Sequence, residues 1–211
     1  METFFMSPCW LIKTCYLCRM EITRETVMAA CYKLGHKYFE NGFYNMNVIG
    51  VRNSAPGKKV TNIFDDWMTL SYKDDKGVWQ FHKWACTTDP GTKAVKQFHN
   101  AGGVARVVPG QYPASHFVGL HQGKYKALKQ CGPVKVYRDA NKDMVFDETK
   151  FDTGVFGINI HHAGADSAVV ENWSEGCQVF KRIKDFDEFM RIVQLDKGEK
   201  WTYTLIESKD L

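Results

Sequence analysis

The sequence predicts a mainly β domain of the α+β kind, built as a β-sandwich or barrel-like sheet with two flanking helices. Three observations predict it. Aromatic residues are abundant, with 14 Phe, 9 Tyr and 6 Trp among 211 residues, and flat rings pack well on pleated surfaces. Short β-branched or aromatic runs succeed one another from Asn47 to Glu207, punctuated by glycine- and proline-containing turns. Helical periodicity, by contrast, is confined to residues 23–41 and 185–195.

Taken in order, residues 1–19 are apolar but lack a basic start, and Pro8 and Lys13 interrupt them, which makes a poor secretory leader. Met20 opens a more typical beginning, so residues 1–19 read as an extension outside the fold. The chain reads as one synthesised in the cytoplasm without a clear signal peptide. No stretch reaches the roughly 18 apolar residues of a membrane span. Of the seven cysteines, Cys15 and Cys18 form a lone C-x-x-C with Cys9 upstream and His36 as the nearest fourth ligand. A single half-motif argues against zinc, and the cysteines read as reduced and mostly buried or incidental.

Residues 20–100 hold a helix and the first strands. Thr23 caps the helix, Glu25 complements its positive end, and Val27, Ala30, Cys31, Leu34 and Tyr38 form one apolar stripe ending at Asn41-Gly42. Strands follow at Asn47–Asn53, Trp67–Lys73 and Val78–Lys83, the last two joined by the turn Asp74-Asp75-Lys76-Gly77. Residues 101–211, readable as one continuous domain with 20–100, continue with strands at Val104–Val108, Phe117–His121, Val134–Arg138 and Gly154–His161. A helix over 185–195 with an Asp185/Glu188 capping box, and a closing strand Trp201–Glu207, complete the chain.

The densest chemistry lies between Gly154 and Phe180. Strand alternation sets Gly157, Asn159 and His161 on one face, and small or polar neighbours point that face to a cleft. Gly176 permits a tight turn that exposes Cys177 and aims backbone amides at a developing oxyanion. A thiol beside an imidazole suits nucleophilic acyl transfer.

His161, followed by a loop and then Ser174-Glu175-Gly176-Cys177, resembles the signature of YkuD-type L,D-transpeptidases over residues 100–182. Glu175 stands where that family has a second His, Val179 where it commonly has Arg, and the loop 162–173 is shorter than the family's. Gly119–Gly123, Gly132–Asp139 and Gly157–His161 are also similar to motifs of phage and bacterial proteins, some of which are taken for cell-wall lysins. The resemblance implies a YkuD-like fold and a peptidoglycan enzyme, transpeptidase or peptidase, that forms a thioester with stem peptides and needs no cofactor. It implies Cys177 as nucleophile, His161 as base, the amides of Gly176 and Cys177 as oxyanion hole, and the carbonyl of His162 or the side chain of Asn159 as orienter of His161. Ser174 and Trp173 would shape the acyl pocket. His121 and Glu175 would border it. An enzyme of this kind acts at the bacterial wall once delivered there.

Two further readings stand beside it. One is a non-catalytic wall-binding or virion-associated module of the same fold. The other is a metal hydrolase using His116, His121, His161 and His162, which lacks the spacing of a hydrolytic zinc centre. Asp139, Asn141, Asp143 and Asp147 place oxygens like a calcium loop, but Met144 and Lys150 replace its Gly and Glu, so a polar hairpin turn before Met144–Phe146 is the favoured reading. Lys124, Lys126 and Lys129 read as a solvated face. The net charge of +4 comes with no nucleic-acid-binding motif.

Overall fold

The computed structural model describes residues 21–53, 59–98, 102–146 and 149–211. Residues 1–20, with the extension and the cysteines at 9, 15 and 18, lie outside the described residues, as does Asp147.

Eight strands close into a barrel in the order β1 (Asn47–Arg52), β11 (Trp201–Glu207), β5 (Gly110–His121), β6 (Tyr125–Gln130), β9 (Ile160–His162), β10 (Gln178–Phe180), β3 (Trp79–Thr87), β2 (Asp66–Lys73). Pairing is antiparallel except for β1 with β11 and β9 with β10. The barrel draws β1–β3 from before residue 100 and its other strands from after it. A second sheet joins β4 (Val104–Val107), β7 (Val134–Asp139) and β8 (Asp152–Gly154).

Alternation along the strands builds two cores. Val48 on β1, Met68 and Leu70 on β2, and Tyr203 and Leu205 on β11 point into the barrel. Their neighbours Ile49, Val51 and Ile206 point outward and are covered by Val27, Ala30 and Cys31 of α1 (Arg24–Lys33). Helix α3 (Ile183–Val193) brings Phe186, Phe189, Met190, Ile192 and Val193 into the barrel core. Truncating a ring as buried as that of Phe189 costs about 3–5 kcal/mol. Among the described residues no helix is long and apolar enough to cross a membrane.

Several elements differ from the sequence expectation. Helix α1 stops at Lys33, not at Asn41, because Gly35 takes a left-handed conformation at φ 72°. His36 N then donates to Cys31 O and Gly35 N to Tyr32 O, the paired bonds of a Schellman end, and Leu34 is left exposed. The segment Gly154–His161 is not one strand. β8 ends at Gly154 in the small sheet, β9 begins at Ile160 in the barrel, and the chain between them turns through Gly157 at φ 78°. Helix α3 has no side-chain cap; Asp185 pairs with Arg182 and Glu188 accepts from Trp84 Nε1. The partner of β7 is β8, whereas Val145 bridges Lys59, so Met144–Phe146 is not the second arm of a hairpin. Strand β6 and the short helix α2 (Thr92–Gln97) were hidden from periodicity by lysines and by length, respectively.

Candidate active site

Strands β9 and β10 lie side by side with His161 opposite Val179 and Ile160 opposite Gln178. One rung earlier, Gln178 N donates to Asn159 O at 2.9 Å, which sets Cys177 beside Asn159. Aligned residues of parallel strands share a face, so Cys177 and His161 project to the same side, two rungs apart. They line one cleft of about 500 Å³ together with His121, Tyr125, His162, Trp173 and Glu175. Cys177 and Glu175 also border a second cavity of about 290 Å³, walled by Phe98, Arg138, Phe156 and Ile158. The thiol therefore stands where two cavities meet.

The turn that carries Cys177 is fixed by its own residues. Ser174 is buried, its Oγ accepting from Gly176 N at 3.2 Å and donating to Cys177 O at 2.8 Å. Gly91 N donates to Ser174 O and Ala105 N to Glu175 O, so neighbouring segments clamp both sides. Gly176 sits at φ 135°, and a Cβ there would come within 2.6 Å of Ala105 O. Only glycine fits that approach. Ser174 thus braces the turn instead of shaping an acyl pocket. The Gly176 amide, being spent on Ser174, is not free for an oxyanion; the Cys177 amide has no such partner among the described residues.

Sγ of Cys177 donates to Gly157 O and accepts from Asn159 N, both at 3.4 Å. His161 Nδ1 meets His162 O at 2.9 Å, and a carbonyl can only accept, so the proton lies on Nδ1 and the lone pair on Nε2. The orienter is therefore the His162 carbonyl. Asn159 is occupied elsewhere, its Oδ1 accepting from Gln130 N and its Nδ2 lying 3.3 Å from His121 Nδ1. His121 stacks on His161 with centroids 4.2 Å apart, and Tyr125 stacks on His162 at the same separation.

Burial pushes the Cys177 thiol up to about 11, opposed by the Asn159 amide and reinforced by the Glu175 charge. Burial likewise pulls His161 down to about 4, with the neighbouring His121 and His162 pulling the same way and the His162 carbonyl opposing them. At neutral pH the resting site holds a thiol and a neutral imidazole. Nε2 is then unprotonated but a weak base at rest, and it can take the thiol proton only as the sulfur attacks and the charge pair forms.

Trp173 is 45% exposed on the cleft wall. His116 is not a pocket residue: it is fully buried, Nδ1 at 2.9 Å from Ser115 Oγ and Nε2 at 3.0 Å from Ile158 O, which anchors the loop from below. Among the described residues no three His, Cys, Asp or Glu side chains converge as metal ligands, so the histidine metal centre is not formed. The sequence reading missed Gln130, whose Oε1 accepts from Phe156 N and Ile158 N and whose Nε2 donates to Gly132 O and Gly154 O. A lone Gln at a strand end carries no signal of that role. Compared with protein-family models, curated proteins and solved structures, the chain has no match.

Proposed function

We propose that the chain is a cysteine-dependent acyl-transfer enzyme acting on peptidoglycan stem peptides, an L,D-transpeptidase or a peptidase. The observation that supports it best is Cys177 at the meeting of two cavities, sharing one of them with a histidine held in the tautomer of a base. Sγ attacks the acyl carbonyl of a stem peptide while Nε2 of His161 takes the thiol proton. The C–N bond then breaks, Nε2 returns the proton to the departing amine, and a thioester remains on Cys177. The second cavity gives an acceptor its own approach: an amine there completes transpeptidation, and water completes hydrolysis. The Cys177 amide is the donor available to the oxyanion. Lys124 on the wall of the first cavity suits a carboxylate of a stem peptide.

Muropeptides incubated with the wild-type chain and with Cys177→Ala, then resolved by mass spectrometry, test this. New cross-links or trimmed stems are expected with the wild type alone. His161→Gln lowers the rate by about 10²–10⁴-fold, the usual worth of a positioned base. Muropeptides left unchanged by a folded wild type would instead favour a non-catalytic wall-binding module.

A further inference from the structure

Asp139, the last residue of β7, is fully buried, and its Oδ1 has no hydrogen-bond partner. Buried carboxylate oxygens are almost always satisfied, so an orphan of this kind calls for an explanation. The other oxygen, Oδ2, accepts from Met144 N at 3.0 Å, which holds the carboxyl head over the loop that follows. Within that loop Asn141 Oδ1 accepts from Asp143 N at 3.2 Å and Asp143 Oδ1 from Val145 N at 2.7 Å. Asn141 Nδ2 lies 3.0 Å from Asp143 Oδ2, so the exposed side chains are drawn together on the turn. No ion pair to either carboxylate is found among the described residues. The nearest cation in sequence, Lys142, sends Nζ to Phe98 O instead.

The geometry points to a divalent-cation site at Asp139, Asn141 and Asp143, with the orphaned Asp139 Oδ1 as a ligand. The donors are all oxygen, two carboxylates and one amide, with no imidazole or thiolate among them. That set suits a hard cation with flexible coordination, calcium above the transition metals, with water completing the shell. Two carboxylates place a double negative charge there for the cation to offset. The site also has a route to the thiol turn. Asp139 pairs with Val104 of β4, and the next residue of β4, Ala105, donates to Glu175 O. A cation that tightens this strand end stiffens the wall behind Cys177.

The test is thermal unfolding of the full chain, stripped with EDTA and then given about 5 mM calcium chloride, a level suited to a weak site. The expected result is a rise in Tm of about 3 °C or more in the wild type. Asn141→Ala and Asp143→Asn abolish that rise; the second keeps an oxygen for Val145 N, so the turn itself is retained. No calcium response in the wild type, or a response that survives in both variants, overturns the site. The readout involves no catalysis, so the result is independent of the reaction proposed for Cys177.

Discussion

Around Arg52 and around Cys177 the fold buries polar groups in opposite ways. The Arg52 guanidinium donates to Thr88 Oγ1, Val107 O and Thr88 O at 2.7–2.9 Å, and it shares the Asp89 carboxylate with Arg106 at 3.1 and 2.8 Å. Asp66 accepts from Asn53 N and from both the amide and hydroxyl of Thr88. The Asp89 charge meets two guanidiniums, Asp66 is met by oriented dipoles while burial and the Asp89 charge push it up to about 7, and the network ties the barrel strands β1 and β2 to β4 of the small sheet. The cleft has no such pairing. Its thiol lies between the Gly157 carbonyl and the Asn159 amide, its imidazole against the His162 carbonyl and the His121 ring, and burial keeps both neutral. A permanently paired cluster is a structural clamp. An unpaired neutral one holds its capacity for charge until a reacting carbonyl develops it.

The largest effect falls on the clamp. Asp89→Ala takes away the carboxylate shared by two buried guanidiniums, a loss of about 3–5 kcal/mol. Glu175→Ala removes the same charge from an exposed position on the cleft and changes stability by less than about 0.5 kcal/mol. Urea unfolding of the two variants measures both, and equal midpoints would erase the contrast.

Acid comes next. His116 is held neutral by burial, its pKa pulled from the ordinary 6.5 to about 4. As pH falls below 6.5 the unfolded chain takes up the proton first, so the stability owed to this group is complete above 6.5 and lost between 6.5 and 4. The loss is on the order of 3 kcal/mol. His161 adds a loss of the same sign over the same window. Asp66, pushed up to about 7 by burial and the Asp89 charge, works the other way, since the folded chain takes up its proton first as pH falls. Relative to His116→Gln, which keeps a donor for Ile158 O, wild-type urea midpoints should therefore fall from pH 7 to pH 4. A slope unaltered by that substitution would place the acid sensitivity elsewhere.

How legible this was depended on the range over which each cause acts. The barrel strands with β-branched or aromatic repeats, the Asp74 turn and the strand Trp201–Glu207 were readable because side-chain alternation and turn chemistry are local. The end of α1 was equally local, but the signal was Gly35, and the apolar Tyr38 beyond it mimicked a continuing stripe. Lys124, Lys126 and Lys129 masked β6, whose buried Ala127 and Leu128 are too few to show a period. In the site, the motif pointed to Cys177, His161 and the His162 carbonyl; the fold sets His161 on that carbonyl and in one cleft with Cys177. The placement of His116 in the core, the use of Asn159 to hold His121 and Gln130, and the expenditure of the Gly176 amide all arise from long-range pairings. Nothing near those residues in sequence announces them.

The smallest effects concern the resting thiol, and they test the neutral cleft directly. With its pKa raised from the ordinary 9.0 to about 11, Cys177 carries about a hundredfold less thiolate at neutral pH than an unperturbed cysteine. Alkylation by iodoacetamide, followed by peptide mass spectrometry, should therefore be slow at Cys177 at pH 7. It should quicken about tenfold for each pH unit on the way to about 11. His161→Ala should alter the neutral-pH rate by less than about threefold, because no imidazolium props up the thiolate before substrate arrives. A preformed ion pair predicts the reverse: fast labelling on a plateau through mildly acidic pH, collapsing when His161 is removed. The two patterns share no pH region, so one titration of the alkylation rate separates a cleft that waits for its charge from one that already holds it.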